Sequence, residues 1–219
     1  MKTLSILSCS LLAFLTMAPA TTAMGNDPTP LDTYVKAPDN TFEWEVVREL
    51  PLGISKVTLV KMQSQTWQGI PWKHDLVIFL PGKASSTKKL VLINAGGKFD
   101  LKNPGKLAIG ASIAQRIGAP VAVLLGIPNQ PLFDGLREDD LIAETFVRYI
   151  EGGDESWPLL FPMVKSLVRA MDAIEEFSRK EWDEPVEEFV VAGASKRGWT
   201  TWLTAATDSR VTAIAPMVI

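Results

Sequence analysis

The sequence predicts an α/β fold, in which a mostly parallel sheet carries antiparallel strands at its N-terminal edge and helices flank it. Three observations support this. Runs 42–49, 56–67 and 74–80 are rich in β-branched and aromatic residues, and the short links Pro51-Leu52-Gly53 and Gly69-Ile70-Pro71 favour antiparallel neighbours. From Leu90 onward, short apolar runs alternate with stretches of helical period. Two of those runs end in glycine-bearing turns, Asn94-Ala95-Gly96-Gly97 and Gly193-Ala194-Ser195.

Taken in order, the chain opens with Lys2, a mostly apolar stretch 4–17, and small residues at Ala18-Pro19-Ala20 and Thr21-Thr22-Ala23. This is the pattern of a secretory signal peptide over 1–23, and the apolar run is shorter than the roughly 18 to 20 residues that cross a bilayer. The expected location is therefore periplasmic or extracellular, with no membrane anchor after cleavage. Residues 24–40, with Pro28, Pro30 and Pro38, read as an extended lead-in, and 41–219 as the N-terminal part of one domain. After strand 90–94 comes a helix over 107–117, then an all-apolar strand 121–125 of the kind buried on both faces. An insertion at about 127–158 follows, with Leu141, Ile142, Thr145, Phe146, Tyr149 and Ile150 at helical spacing. Leu160, Met163, Val164, Leu167, Val168, Met171, Ile174 and Phe177 then mark an amphipathic helix over 162–179 with proline in its first turn. Strand 188–192, helix 196–206 and strand 211–218 complete the alternation of a doubly wound sheet.

Composition narrows the function classes. The hydrophobic share of 47% belongs to a chain with a buried core, and a net charge of −3 singles out neither nucleic acid nor an anionic membrane as partner. Cys9, the only cysteine, lies in the leader, so the mature chain has no disulfide and no thiol nucleophile. No second histidine accompanies His74 and no carboxylate cluster has ligand spacing, so neither metal nor cofactor is expected.

Ser195 is the candidate nucleophile. A strand that turns at once into a helix exposes its turn residue above the sheet, and the helix N-terminus offers backbone N–H groups to developing negative charge. The Lys196 N–H is the expected oxyanion donor, with a second from Gly96 or Gly97. The spacing is G-x-S-x-x-G in place of G-x-S-x-G, which leaves open a second reading of Ser195 as the N-cap of an ordinary helix. A phosphate-binding loop is disfavoured because Trp199 stands where its lysine belongs. A serine–lysine dyad is disfavoured because adjacent helical residues diverge. Lys196-Arg197 reads as a solvated or ligand-facing pair, His74 as a surface or edge residue unsuited to act as the base, and the tryptophans, Trp157, Trp199 and Trp202 among them, as mainly core.

The segments Pro128-Asn129-Gln130-Pro131-Leu132, Arg137-Glu138-Asp139-Asp140-Leu141-Ile142, Trp157-Pro158 and Pro162-Met163-Val164-Lys165 resemble the PhoPQ-activated pathogenicity-related protein family. So do Val168-Arg169-Ala170-Met171-Asp172, the stretch from Gly193 to Leu203, and Asp208-Ser209-Arg210-Val211. The resemblance runs from about Leu31 to Ile219. It implies an α/β-hydrolase-like fold, export, and a serine hydrolase acting on an ester or amide. The Ser195 spacing is also similar to that of glucuronoyl esterases, which supports the serine as nucleophile. Family members look roughly twice as long, so the resemblance implies that the acid and histidine of a triad lie beyond Ile219. The alternative is a non-catalytic extracellular binding or regulatory protein on a hydrolase scaffold.

Overall fold

A computed structural model describes residues 27–100 and 104–219; the expected signal peptide lies outside them. Seven strands form one sheet: β1 (Glu43–Leu52), β2 (Ser55–Trp67), β3 (Ile70–Leu80), β4 (Lys89–Asn94), β5 (Val121–Leu125), β6 (Glu188–Ala194) and β7 (Val211–Met217), in the order β1-β2-β3-β5-β4-β6-β7. The pairs β1–β2, β2–β3 and β3–β5 are antiparallel, and β5–β4, β4–β6 and β6–β7 parallel. The sheet is thus mixed, with its antiparallel edge where the short turn-rich links require it.

Helices α2 (Pro104–Ile117), α3 (Glu138–Gly152), α4 (Leu160–Glu181) and α5 (Lys196–Thr207) fall where the apolar periodicity places them. On one face Leu107, Ala111 and Ala114 of α2 pack against Val57, Leu59, Val77, Phe79 and Val121. On the other, Met163, Leu167, Met171 and Ile174 of α4 pack against Val60, Leu76, Leu92 and Val191 in the larger core, with Leu203 of α5 beside them. Each such fully buried side chain contributes about 1.5 to 3 kcal/mol of transfer free energy. Trp157 packs against this core, whereas Trp199 and Trp202 are exposed on α5, contrary to the core role expected of them.

The lead-in is also corrected. It holds a helix, α1 (Pro30–Lys36), which starts on a capping box: Thr29 Oγ1 accepts from the Asp32 N–H, and Asp32 Oδ2 accepts from the Thr29 N–H. Leu31 and Val35 bury against Val164, and the Lys165 ammonium donates to the carbonyls of Ala37 (2.8 Å) and Tyr34 (3.3 Å). The prolines had suggested an extended segment, but Pro30 occupies the first turn, where its missing N–H costs nothing.

Chain direction changes sides at β4. Its neighbour β5 is reached through α2 on one face, whereas β6 lies on the other side of β4 and leads into α5 on the opposite face. The loops after β4 and β6 therefore diverge, leaving a crevice at the carboxyl ends of these strands, the place where open α/β sheets bind ligands.

Candidate active site

Ser195 stands on one lip of this crevice. Its N–H donates to Met217 O (2.9 Å), continuing the β6–β7 ladder, while its carbonyl accepts from the N–H groups of Gly198 (2.7 Å) and Trp199 (3.1 Å) and opens α5. One residue thus ends a strand and begins a helix, at φ 57° and ψ −130°. Such a backbone costs a side-chain-bearing residue of order 1 to 3 kcal/mol and persists only where the surroundings enforce it. The enforcement is visible. A Cβ on Gly193 would lie 2.5 Å from Arg197 O, and one on Gly198 3.0 Å from Met217 O, so only glycine permits strand and helix to meet this closely. The three-residue step from Ser195 to Gly198 is explained as well, because Gly198 is the position of the first helical turn that abuts β7. Ser195 makes no side-chain cap bond and is exposed, so its hydroxyl is not used to hold the helix.

The opposite lip is Asn94-Ala95-Gly96-Gly97. Asn94 Nδ2 donates to Arg197 O (3.1 Å) across the β4–β6 pair, and the Ala95 N–H bonds Leu124 O (2.9 Å). The next two glycines differ. A Cβ on Gly96 would lie 2.5 Å from the Arg197 guanidinium, whereas Gly97, at φ 78°, faces open space. Among the described residues, the N–H groups of Gly96, Gly97 and Lys196 are directed at no backbone acceptor. The structure therefore brings together all four residues expected from the sequence: Ser195 and Lys196 on one lip, Gly96 and Gly97 on the other.

Lys196 and Arg197 are not the solvated pair that their sequence suggested. The Lys196 side chain is only 6% exposed, with Nζ 2.6 Å from Glu138 Oε2 and 2.9 Å from Asp139 Oδ1. Arg197 grips the same Glu138 through both terminal nitrogens (3.0 and 2.8 Å), and its Nε donates to Ile127 O (2.6 Å). Gln130 closes the node: its Nε2 donates to Glu138 Oε1 (2.5 Å), and its Oε1 accepts the Glu138 N–H (2.8 Å). The Arg197 hydrogen bonds, then those of Lys196 and Gln130, hold the Glu138 carboxyl at about 2 against the opposing effect of burial. Burial acts to lower the Lys196 ammonium, but the hydrogen bonds and charges of Glu138 and Asp139 outweigh it and its pKa rises. Lys196 therefore stays protonated at neutral pH.

His74, expected at the surface, is 3% exposed within β3. Its Nδ1 lies 3.2 Å from Leu125 O, which only accepts, so Nδ1 carries the proton and Nε2 accepts from Ser64 Oγ (3.0 Å). Burial lowers its pKa to about 4, partly offset by the backbone of Leu125 and Gly126 and by the charge of Asp75. From Ser64 a neutral chain continues through Ser166 (2.9 Å) and Gln65 Nε2 (3.2 Å) to Tyr34, whose hydroxyl donates to Gln65 Oε1 (2.7 Å). A register shift between Gln63 and Gln65 turns the consecutive Ser64 and Gln65 both inward, which a regular strand cannot do.

A cavity of about 1040 Å³ adjoins the crevice, lined by Gly97, Lys98, His74, Gly126, Asn129 and Gln130 among others. Ser195 is not in its wall; Gly97 is shared by the cavity and the lip facing Ser195. Among the described residues no group of His, Cys, Asp or Glu could hold a metal ion, and no helix is long and apolar enough to cross a membrane.

The sequence reading missed Glu138 and Arg197 as parts of the site. A signal existed in the acidic run Glu138-Asp139-Asp140, set against the only adjacent basic pair near the serine, but sequence spacing does not reveal that 58 to 59 residues close into contact.

Comparison with known proteins places this geometry. The profile described as PhoPQ-activated pathogenicity-related protein matches residues 31–219. Autocrine proliferation repressor protein A of Dictyostelium discoideum is 37% identical over 203 residues, which is 87% of this chain and 41% of that protein. Among solved structures, a glucuronoyl esterase from Solibacter usitatus superposes with a TM-score of 0.55 at 16% identity, over 84% of this chain and 55% of its own. An acetyl xylan esterase from Paenibacillus sp. R4 superposes with a TM-score of 0.53 at 16% identity, over 86% and 57%. The fold is α/β-hydrolase-like, and the chain spans about two fifths of the curated relative and just over half of these structures.

Proposed function

This chain belongs to the PhoPQ-activated pathogenicity-related protein family, and from that premise we propose that it carries the nucleophile and oxyanion hole of an exported serine hydrolase acting on an ester or amide. The observation that carries the reading is Ser195: a positive-φ residue between β6 and α5, exposed, with a hydroxyl that does not cap its helix. In this reading Oγ attacks the carbonyl carbon and its proton passes to a base. The carbonyl oxygen takes the electron pair and is held by the Lys196 N–H and by Gly97, whose outer side is open where Gly96 is packed by Arg197. The alcohol or amine then leaves with that proton, and water releases the acyl group from Oγ. Carboxylic esters are favoured over amides by the names of the esterases that share the fold.

Neither Lys196 nor His74 supplies the base. Lys196 is kept protonated by two carboxylates, and His74 spends both ring nitrogens on Leu125 and Ser64 inside the core. The reading therefore draws its base from outside these 219 residues. A second, non-catalytic reading is favoured by the regulatory name of the Dictyostelium relative.

A fluorophosphonate probe on the natural protein separates the two. Covalent labelling that disappears in Ser195→Ala is expected; equal labelling of both proteins, or none of either, overturns the hydrolase reading. Export rests on the leader pattern at 1–23, and N-terminal sequencing of the periplasmic or secreted protein is expected to begin close to residue 24.

A further inference from the structure

We infer that Arg197 and Glu138 form a positioning clamp that sets the width of the oxyanion crevice, an assignment that rests on Ser195 being the nucleophile. The backbone leaves this width open. The β4–β6 ladder ends at Asn94 and Gly193, where Asn94 Nδ2 bonds Arg197 O, and beyond that point the lips diverge to opposite faces of the sheet with no further strand pairing between them. Arg197 spans that gap. Its backbone belongs to the first turn of α5, next to Lys196, while its guanidinium lies against Gly96 so closely that a methyl group there would sit 2.5 Å away.

The guanidinium has three anchors. Nε is bonded to Ile127 O in the loop after β5, the two terminal nitrogens to the Glu138 carboxylate at the start of α3, and the group packs against Gly96. One planar group thus ties the loops after β4, β5 and β6 and the insertion to one another. A bidentate fork fixes orientation as well as distance, which an ammonium does not. Glu138 is itself held at φ 51° by its exchange with Gln130, and its four donors fill the acceptor sites of both oxygens. A carboxylate so saturated is an anchor for other groups and has little capacity left for a substrate. Gly96 is accordingly assigned to packing, and Gly97 to the open side of the crevice.

The consequence is catalytic geometry more than binding. Displacing an oxyanion donor by about an ångström costs on the order of 100-fold in rate. The test is the inactivation of the natural protein by a fluorophosphonate, with the limiting rate of Ser195 phosphonylation and the apparent affinity for the probe measured separately. Glu138→Gln and Arg197→Lys are each expected to lower the limiting rate about 10- to 100-fold with affinity changed less than about 3-fold. Hydrogen exchange at 95–97 and 126–131 is expected to accelerate in both at temperatures where the variants remain folded. In Arg197→Ala, added guanidinium is expected to restore part of the rate.

An unchanged limiting rate in both variants overturns the clamp, as does a loss that follows the unfolded fraction or that falls on affinity alone. Failure of the wild-type protein to label at Ser195 is a different result, which overturns the nucleophile reading and the clamp with it.

Discussion

The two polar clusters of this molecule solve opposite problems. The His74–Ser64–Ser166–Gln65–Tyr34 chain is neutral, largely buried, and joins β2, β3, α4 and α1, elements already held by ladders and apolar packing. The Glu138–Lys196–Arg197 cluster is ionic, partly open on its Glu138 side, and joins the loop after β6 and the start of α3 to loops that backbone bonds tie only to each other. Neutral hydrogen bonds suffice where the scaffold fixes the partners. Where it does not, charge-assisted bonds of defined direction take over. The comparison teaches that a buried histidine in a cavity wall is tied into the scaffold, while the charged residues that look like solvated surface are gathered beside the candidate nucleophile.

The largest effect that would break this contrast is in the neutral chain. Gln65→Leu leaves the Tyr34 hydroxyl without its acceptor and removes one donor each from Pro162 O and Ser166, which still bond one another, and is expected to cost roughly 3 kcal/mol in urea unfolding, with the labelling rate per folded molecule unchanged. A comparable loss of labelling rate would give the chain a catalytic part.

Acid comes next. His74 has a folded pKa of about 4 against 6.5 unfolded, so the unfolded chain binds the proton more readily, and stability is full above about pH 6.5 and falls as pH drops toward 4. The expected loss is up to about 3 kcal/mol, read from unfolding curves across that range, and absent in His74→Asn. Glu138 titrates in a different window. Held at about 2, it contributes stability that is present above its ordinary range near 4.5 and fades only as pH falls toward 2. A stability step between pH 6.5 and 4 that survives in His74→Asn would assign the acid sensitivity elsewhere.

The smallest expected effect sharpens the other side. Glu138→Gln turns one acceptor oxygen into an amide that faces the donors of Arg197, Lys196 and Gln130, while Lys196 retains Asp139, so unfolding free energy is expected to fall by about 2 kcal/mol, measured by urea denaturation. A loss of several kcal/mol would show that the ionic cluster, too, is scaffold.

Much of this was legible in the sequence because the signals are local. Runs of β-branched and aromatic residues between turn-rich links located β1 to β3, apolar runs located β4 to β6, and helical spacing of apolar residues located α4, since each signal lies within one element or its flanks. Ser195, Lys196, Gly96 and Gly97 were legible as well, because a strand-to-helix turn and a glycine-rich strand end are written in consecutive residues. Helix α1 was legible in principle from Thr29-Pro30-Leu31-Asp32, although its prolines suggested extension.

What only the tertiary structure decided is who meets whom. The register shift that turns Ser64 and Gln65 inward together, the burial of His74, and the meeting of Glu138 with Arg197 each depend on pairings between segments far apart in the chain. The difference is physical: period and turn chemistry act within a few residues, whereas burial, pKa and ion pairing are set by neighbours that only the closed sheet brings into contact. The sequence by itself determined the fold class and the serine's turn. The packing of glycine, arginine and glutamate around that turn decided which groups stay open to the crevice.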